Sequence, residues 1–107
     1  MAKTHILEKD VEMTTRDGTI LRCDIYRPAE AGRFPVLVSR TPYDKARPVY
    51  ARVAAFMADH GYVCVLQDIR GTHAADGTYY LARNGRQDTR DAEDGHDTVE
   101  WAAALPH

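Results

Sequence analysis

The sequence predicts an α/β fold in which a helix joins two parallel strands of one sheet. Two short apolar runs, at 34–38 and 62–66, have the length and composition of strands buried on both faces. A segment with helical spacing, 49–60, lies between them, and Gly61 follows it where helices often end with a left-handed residue. Strand, loop, helix and strand in this order are typical of a right-handed crossover unit with a parallel sheet.

An antiparallel hairpin is predicted ahead of this crossover unit. Residues 11–15 and 19–27 form two extended runs, and Arg16-Asp17-Gly18 between them supplies an Asp-Gly turn. Apolar residues of the second run share one face and polar residues share the other: Leu21, Cys23 and Ile25 against Arg22 and Asp24. This alternation predicts a strand with one face in the core and one face in water. A polar loop at 28–33 then leads to the first buried strand.

Both predicted helices are identified by apolar residues that recur at helical spacing. In the first helix these residues are Val49, Val53, Phe56 and Met57. Helix is favoured again from Asp88 to Leu105, with Pro106 ending it and with an apolar stripe of Val99, Ala102 and Ala103. The acidic stretch at 88–97 suits the positive end of the helix dipole and lacks both terminal ligands of a calcium loop. We therefore interpret it as a solvated helix start.

Length and composition place residues 1–107 in one small domain or part of one, with no internal boundary. An apolar content of 44% and a mean hydropathy of −0.49 exclude a disordered chain and a membrane protein. No run approaches the ~20 apolar residues of a spanning helix, and no signal peptide is recognisable, so we expect a cytoplasmic protein. A net charge of −2 argues against nucleic-acid binding.

Residue types that often carry chemistry occur here in patterns that favour structural roles. Ser39, the only serine, lies in a strand run and not on the Gly-x-Ser-x-Gly turn of a serine nucleophile. Cys23 and Cys64 lie in apolar runs and are interpreted as buried, inert thiols. The five histidines show no metal-binding spacing: His5, His60, His73, His96 and His107. We expect neither a metal nor another cofactor.

Two loops follow the predicted parallel strands, at the edge where α/β sheets bind ligands. In the first, at 40–45, rigid Pro42 precedes Tyr43, whose hydroxyl could donate to a developing oxyanion or whose ring could only pack half-buried. In the second, at 68–71, Asp68 and Arg70 are expected to brace the loop by a charge-assisted hydrogen bond and not to touch substrate. His73 lies just beyond and is the least certain of the histidines.

Six segments, taken in order, resemble the Xaa-Pro dipeptidyl-peptidase and cocaine esterase group of α/β-hydrolases. They are RDGTIL at 16–21, DIYRP at 24–28, FPVLV at 34–38, RTPYDK at 40–45, GYVCVLQDIRG at 61–71 and DTVEW at 97–101. The resemblance covers nearly the whole chain from about Val11 onward. Two departures lie in the loop after Arg70: Ala75 stands where the family usually has Ser, and a second glycine after Gly71 is not evident.

This resemblance implies the N-terminal part of an α/β-hydrolase: a hairpin, then parallel strands with crossover helices in a three-layer sandwich. Members of the family are serine hydrolases that cleave esters or amides through a Ser-Asp-His triad and an acyl-enzyme. The nucleophile elbow and the triad are then expected beyond His107, outside this chain. For Tyr43 the resemblance implies a catalytic role, with its hydroxyl in the oxyanion hole beside a backbone N–H from the residue after the serine.

The expected substrate is therefore a small ester, an amide or a short peptide, including Xaa-Pro peptides. We expect the isolated chain to be inactive. It should also expose apolar surface where a neighbouring strand is missing, which favours self-association into homo-oligomers. The alternative is a non-catalytic α/β module that binds a partner through an open sheet edge.

Overall fold

The computed structural model describes residues 5–77 and 91–105. Their elements in chain order are β1 (His5–Thr14), β2 (Ile20–Pro28), β3 (Val36–Thr41), α1 (Pro48–Asp59), β4 (Val63–Asp68) and α2 (Asp91–Ala103). The strands form one sheet in the order β1-β2-β4-β3. Strands β1 and β2 are antiparallel, as are β2 and β4, whereas β3 and β4 are parallel. Within the described ranges, no helix is long and apolar enough to cross a membrane.

The predicted crossover unit is confirmed. Along β3 and β4, Val36 lies opposite Val63 and Thr41 lies opposite Asp68, all in parallel register. Helix α1 between them begins with Pro48, whose missing N–H is not needed in a first helical turn. The chain turns after this helix at Gly61, which has the left-handed φ of 91° that its position predicted.

The sheet has a helix on each face, which gives the three layers that the resemblance implied. On one face, residues of β2 and β4 pack with α2 in a cluster of Cys23, Ile25, Val63, Val65 and Ala102. On the other face the same two strands pack with α1 in a cluster of Tyr26, Ala54, Ala58, Cys64 and Leu66. Since β4 lies between both clusters, all six of its residues are buried, as predicted.

The hairpin is confirmed, but its first strand is longer than predicted. Strand β1 begins at His5, paired with Pro28, and not at residue 11. Its register shifts between Glu8 and Val11, where Asp10 adopts a left-handed φ of 53°. This irregularity interrupts the alternation of side chains, so the pattern in the sequence identifies only the second half of the strand.

Two predictions about strand faces are wrong. The polar face of β2 was expected in water, yet Asp24 is fully buried because Lys45 covers it. Strand β3 was expected to be buried on both faces, yet Leu37 is exposed. The reason is that β3 lies at the edge of the described sheet, with β4 on one side only.

In both helices, most residues of the apolar stripe noted in the sequence are exposed. Helix α1 packs on the sheet through Ala54 and Ala58, whose small side chains allow close approach, while the larger apolar residues Val49, Val53 and Phe56 are exposed. Helix α2 buries Asp94, Thr98 and Ala102, whereas Val99 and Ala103 of the predicted stripe are exposed. The first predicted residues of this helix, 88–90, lie outside the described residues.

Candidate active site

The structure brings the two predicted loops together at the carboxyl edge of the sheet. Because β3 and β4 are parallel and Thr41 lies opposite Asp68, both loops leave the sheet at the same level. The backbone N–H of Ile69 donates to the carbonyl oxygen of Thr41 over 3.1 Å, which joins the loops at their origin. We call residues 42–47 the Tyr43 loop and residues 69–77 the Arg70 loop.

One buried carboxylate holds both loops. Oδ1 of Asp68 accepts a hydrogen bond from the backbone N–H of Lys45 over 2.8 Å, and its Oδ2 accepts one from that of Ala74 over 3.1 Å. A further contact between the loops joins Nε2 of His73 to the carbonyl oxygen of Pro42 over 3.2 Å. Asp68 therefore braces two loops at once, in line with the structural role that the sequence predicted for it.

Tyr43 lies on the exposed side of its loop. Its side chain is 63% exposed, so the alternative of a half-buried packing ring does not match this structure. Its backbone N–H donates to Oγ1 of Thr41 over 2.9 Å, and that hydroxyl lies 3.4 Å from the hydroxyl of Tyr50 on α1. The main chain at Tyr43 is thus fixed to the end of β3, while the phenol is accessible to a ligand.

Lys45, two residues after Tyr43 in the same loop, was not singled out by the sequence. Its side chain is only 3% exposed, and its Nζ lies 2.6 Å from Oδ1 of Asp10 and 2.9 Å from Oδ1 of Asp24. Burial alone would lower the pKa of Lys45, but the hydrogen bonds to the two carboxylates outweigh it, so the pKa is raised and the ammonium stays charged. The hydrogen bond from Lys45 likewise lowers the pKa of Asp10.

Arg70 braces its loop as predicted, and it does so across three segments. Its Nε and Nη2 donate to the two carboxylate oxygens of Asp94 on α2, each over 2.8 Å. Its Nη1 and Nη2 donate to Asp17 in the hairpin turn, each over 3.0 Å, and Nη1 also donates to Thr19. The hydrogen bond to Asp94 raises the pKa of Arg70, and the one from Arg70 lowers the pKa of Asp17.

This arrangement corrects the interpretation of the acidic stretch as a solvated helix start. Asp94 is only 1% exposed because it neutralises the Arg70 guanidinium. Asp97, one turn later, accepts hydrogen bonds from both the backbone and the guanidinium of Arg16, the shortest over 2.8 Å. Asp97 thus attaches α2 to the hairpin turn directly, and Asp94 does so through Arg70. Thr98 adds a third polar contact by donating to Oε1 of the buried Gln67 over 3.0 Å.

The other candidate residues lie in surroundings that favour structural roles. Cys23 and Cys64 are unpaired thiols in the core, and burial raises the pKa of Cys23 to about 11, as expected for an inert thiol. Ser39 lies within β3, paired with Leu66. Of the histidines, His5 pairs with Asp59 and His60 contacts its own helix end, while His107 lies outside the described residues. Across residues 5–77 and 91–105, no three side chains form a group suited to a metal ion.

The described part of the chain therefore presents the accessible phenol of Tyr43 on a braced loop at the carboxyl edge of the sheet. A phenol in such a place can donate to an oxygen that becomes negatively charged during a reaction. The chain does not present a serine nucleophile in the same way. Its only serine, Ser39, lies within β3 and not on a turn.

Comparison with known proteins identifies the family. The family model of X-Pro dipeptidyl-peptidases (S15 family) matches residues 17–107. The cocaine esterase of Rhodococcus sp. (strain MB1 Bresler) is 37% identical over 103 residues, in an alignment that covers 91% of this chain and 17% of the esterase. The polyketide transferase grgF of Penicillium sp. is 31% identical over 107 residues, in an alignment that covers 99% of this chain and 35% of the transferase. The chain thus spans about a sixth to a third of the length of these relatives.

Solved structures show the same fold. A CocE/NonD family hydrolase from Staphylococcus aureus superposes with a TM-score of 0.77 at 28% identity, covering 95% of this chain and 21% of that one. The crystal structure of the Penicillium relative, an alpha/beta hydrolase, superposes with a TM-score of 0.73 at 32% identity, covering 94% of this chain and 33% of that one. The predicted α/β-hydrolase fold is therefore confirmed.

Proposed function

This chain belongs to the X-Pro dipeptidyl-peptidase (S15) family, and from that premise we propose that it forms the N-terminal part of the catalytic domain of a serine hydrolase. The observation that carries the proposal is the exposed phenol of Tyr43, held on a braced loop at the carboxyl edge of β3. A serine outside these residues attacks an acyl carbonyl, and the Tyr43 hydroxyl donates to the oxyanion of the tetrahedral intermediate. The intermediate then collapses and expels the alcohol or amine, which takes up a proton, so that the acyl group stays on the serine. Attack by water releases that group as the free acid.

The chemical contribution of Tyr43 follows from where charge develops. The carbonyl oxygen of a bound ester is only partly negative, whereas the oxygen of the tetrahedral intermediate has a full charge. A hydrogen bond to it is therefore stronger in the transition state than in the ground state, and it accelerates acylation more than it tightens binding. The hydrogen bonds at Thr41 and Asp68 support this function because they fix the loop before substrate arrives.

Apolar surfaces on the α1 side support the proposal that more of the hydrolase packs against this unit. The outer edge of β3 and the outward face of α1 border a groove of about 440 Å³. Its apolar lining includes Leu37, Val49, Val53, Met57, Cys64 and Leu66. A complete soluble domain rarely exposes such an apolar surface to water. The relatives are also several times as long as this chain.

The substrate class that we propose is a small ester, an amide or a short peptide. The matching family is named for a dipeptidyl-peptidase and one relative is named as an esterase. Peptide and ester bonds both present an acyl carbonyl, and a single phenol donor suits the oxyanion that either one forms.

Within the described residues β3 pairs on one side only, which favours a second candidate function, a module that binds a partner strand without catalysis. An unpaired edge presents a row of backbone donors and acceptors that another strand can use. Such a module needs no nucleophile, so an experiment that labels activated serines distinguishes it from a hydrolase.

The test uses the complete protein that contains this chain, treated with a fluorophosphonate probe that reacts with activated serines and assayed with p-nitrophenyl esters. We expect labelling of a serine outside residues 1–107, hydrolysis that labelling abolishes, and full activity of the Ser39→Ala variant as the matched control. Labelling of Ser39 would contradict the proposal. A protein that neither reacts with the probe nor cleaves any ester or peptide would instead support the binding module.

A further inference from the structure

Residue 45 is the most firmly held position of the Tyr43 loop. Its backbone N–H is bound by Asp68 at the end of β4, and its ammonium is bound by Asp10 of β1 and Asp24 of β2. The main chain and side chain of one residue thus connect the loop to three strands. Among the described residues, the hydrogen bond that ties Tyr43, two residues earlier, runs from its backbone N–H to the end of β3.

The groups around the Lys45 ammonium are arranged to accept its hydrogen bonds. Asp24 lies in a strand, is nearly inaccessible, and accepts a second hydrogen bond from the backbone N–H of Asp10 over 3.0 Å. That N–H is presented by the irregular turn of β1, where Asp10 has a left-handed φ. Strand β1, strand β2 and the Tyr43 loop therefore all adopt specific conformations around the positive charge of Lys45.

A buried ion pair of this kind adds little to the free energy of unfolding. Taking an ammonium and a carboxylate out of water costs about as much as their attraction returns, and an apolar replacement is often as stable. In some proteins a buried ion pair instead specifies one geometry, because the charged atoms must meet their partners. Here the geometry that is fixed is that of the loop bearing Tyr43.

We propose that Lys45 is a positioning residue that holds the Tyr43 loop at the height where the phenol meets the reacting carbonyl. Lys45 acts through Tyr43 and does not touch substrate, since its ammonium is buried between β1 and β2. The inference rests on the proposed function for its catalytic consequence, and on the geometry alone for its effect on the loop.

The first part of the test measures the loop itself. Lys45→Met keeps the length of the side chain and removes the charge. In residues 1–107, we expect faster amide hydrogen exchange at positions 43–46 in this variant. The matched control is Lys9→Met, because Lys9 is an exposed lysine 3.9 Å from the same Asp24 carboxylate. Equal exchange at 43–46 in wild type, Lys45→Met and Lys9→Met would overturn the inference without affecting the proposed function.

The second part is a double-mutant cycle in the complete hydrolase. Because a misplaced donor costs up to about 100-fold, we expect Lys45→Met to lower kcat by roughly 10- to 100-fold with KM changed little. On a Tyr43→Phe background the same change should have almost no further effect, since the donor is already gone. Equal losses in both backgrounds would show that Lys45 acts other than through Tyr43, which overturns the inference.

A milder variant covers the case in which Lys45→Met fails to fold. Asp10→Asn removes one charged partner that is half exposed and leaves the buried pair with Asp24 intact. We expect it to produce the same pattern with a smaller amplitude, a lower kcat that disappears on the Tyr43→Phe background. If Tyr43→Phe itself leaves kcat unchanged, the proposed function fails, whereas the exchange measurement still decides whether Lys45 fixes the loop.

Discussion

Replacing Arg70 with Met removes the residue that joins the hairpin turn, the Arg70 loop and α2. The Met side chain keeps most of the aliphatic stem but none of the guanidinium. Four of the hydrogen bonds that end are charge-assisted, two of 2.8 Å to Asp94 and two of 3.0 Å to Asp17. We expect α2 to leave the sheet as a result.

The size of the effect follows from the burial of the partner that is left behind. Asp94 is 1% exposed, so Arg70→Met strands a buried carboxylate, and losing one partner of a buried pair costs about 3–5 kcal/mol. Asp17 is 28% exposed, and removing its charge by Asp17→Asn leaves the Arg70–Asp94 pair intact, which costs about 1 kcal/mol or less. Against a total stability of about 5–15 kcal/mol for a natural domain, only the first change is large.

Trp101 provides the assay, because it is the only tryptophan of the chain and packs from α2 against the core. Its emission during urea titration reports the docking of α2, and far-ultraviolet circular dichroism of the same samples reports the sheet and helices together. We expect Arg70→Met to shift the emission to longer wavelength at a much lower urea concentration than wild type. Asp17→Asn should stay close to wild type.

A compensating change separates loss of charge balance from loss of packing. The double variant Arg70→Met, Asp94→Leu removes both charges, so it should recover a large part of the lost stability. The reasoning fails if Arg70→Met and Asp17→Asn shift the emission midpoint equally, or if the double variant is no more stable than Arg70→Met alone.

Three further predictions concern the chain as a whole. Purified residues 1–107 should not hydrolyse p-nitrophenyl esters above a protein control, and release of one equivalent of nitrophenol in a burst would refute this. The chain should bind a hydrophobic dye and self-associate, since Val53 and Phe56 are exposed; Phe56→Glu should reduce both effects, and a monodisperse wild type that binds no dye would count against it. Hydrogen bonds from Arg70 and Arg16 lower the pKa values of Asp17 and Asp97 below their ordinary 3.8, so the stability that they provide is present above about pH 4 and is lost as the pH falls further. Urea midpoints at pH 6 and pH 3 measure this loss, and Asp17→Asn should make it smaller.

The hairpin and the parallel direction of β3 and β4 could be predicted because the signals are local. An Asp-Gly turn defines the hairpin, and Gly18 indeed has a left-handed φ of 89°. The crossover unit follows from two apolar runs around a helix of ordinary length. The buried face of α1 could not be predicted this way, since periodicity reveals that a face is apolar but not that the sheet contacts Ala54 and Ala58 instead.

At the candidate site, a residue marked by a local motif could be predicted, whereas residues buried by contacts between distant segments could not. Tyr43 was predicted as a site residue because its loop follows a parallel strand and because the surrounding motif resembles a known family. Lys45 and Asp24 were missed because a lysine in a polar loop and an aspartate in an alternating strand both have patterns typical of exposed residues. Their burial arises only when segments 35 residues apart, at Asp10 and Lys45, come together in the fold.

The central claim is that the Tyr43 hydroxyl stabilises the oxyanion, and the most direct measurement is the kinetics of Tyr43→Phe in the complete hydrolase. The change removes one oxygen and keeps the ring, so kcat should fall roughly 10²- to 10³-fold, with KM changed far less and the melting temperature nearly unchanged. Tyr26→Phe is the control, because Tyr26 is buried in the core beside α1 and should affect stability but not kcat. A Tyr43→Phe enzyme that keeps kcat within a factor of about two and loses stability instead would contradict the claim.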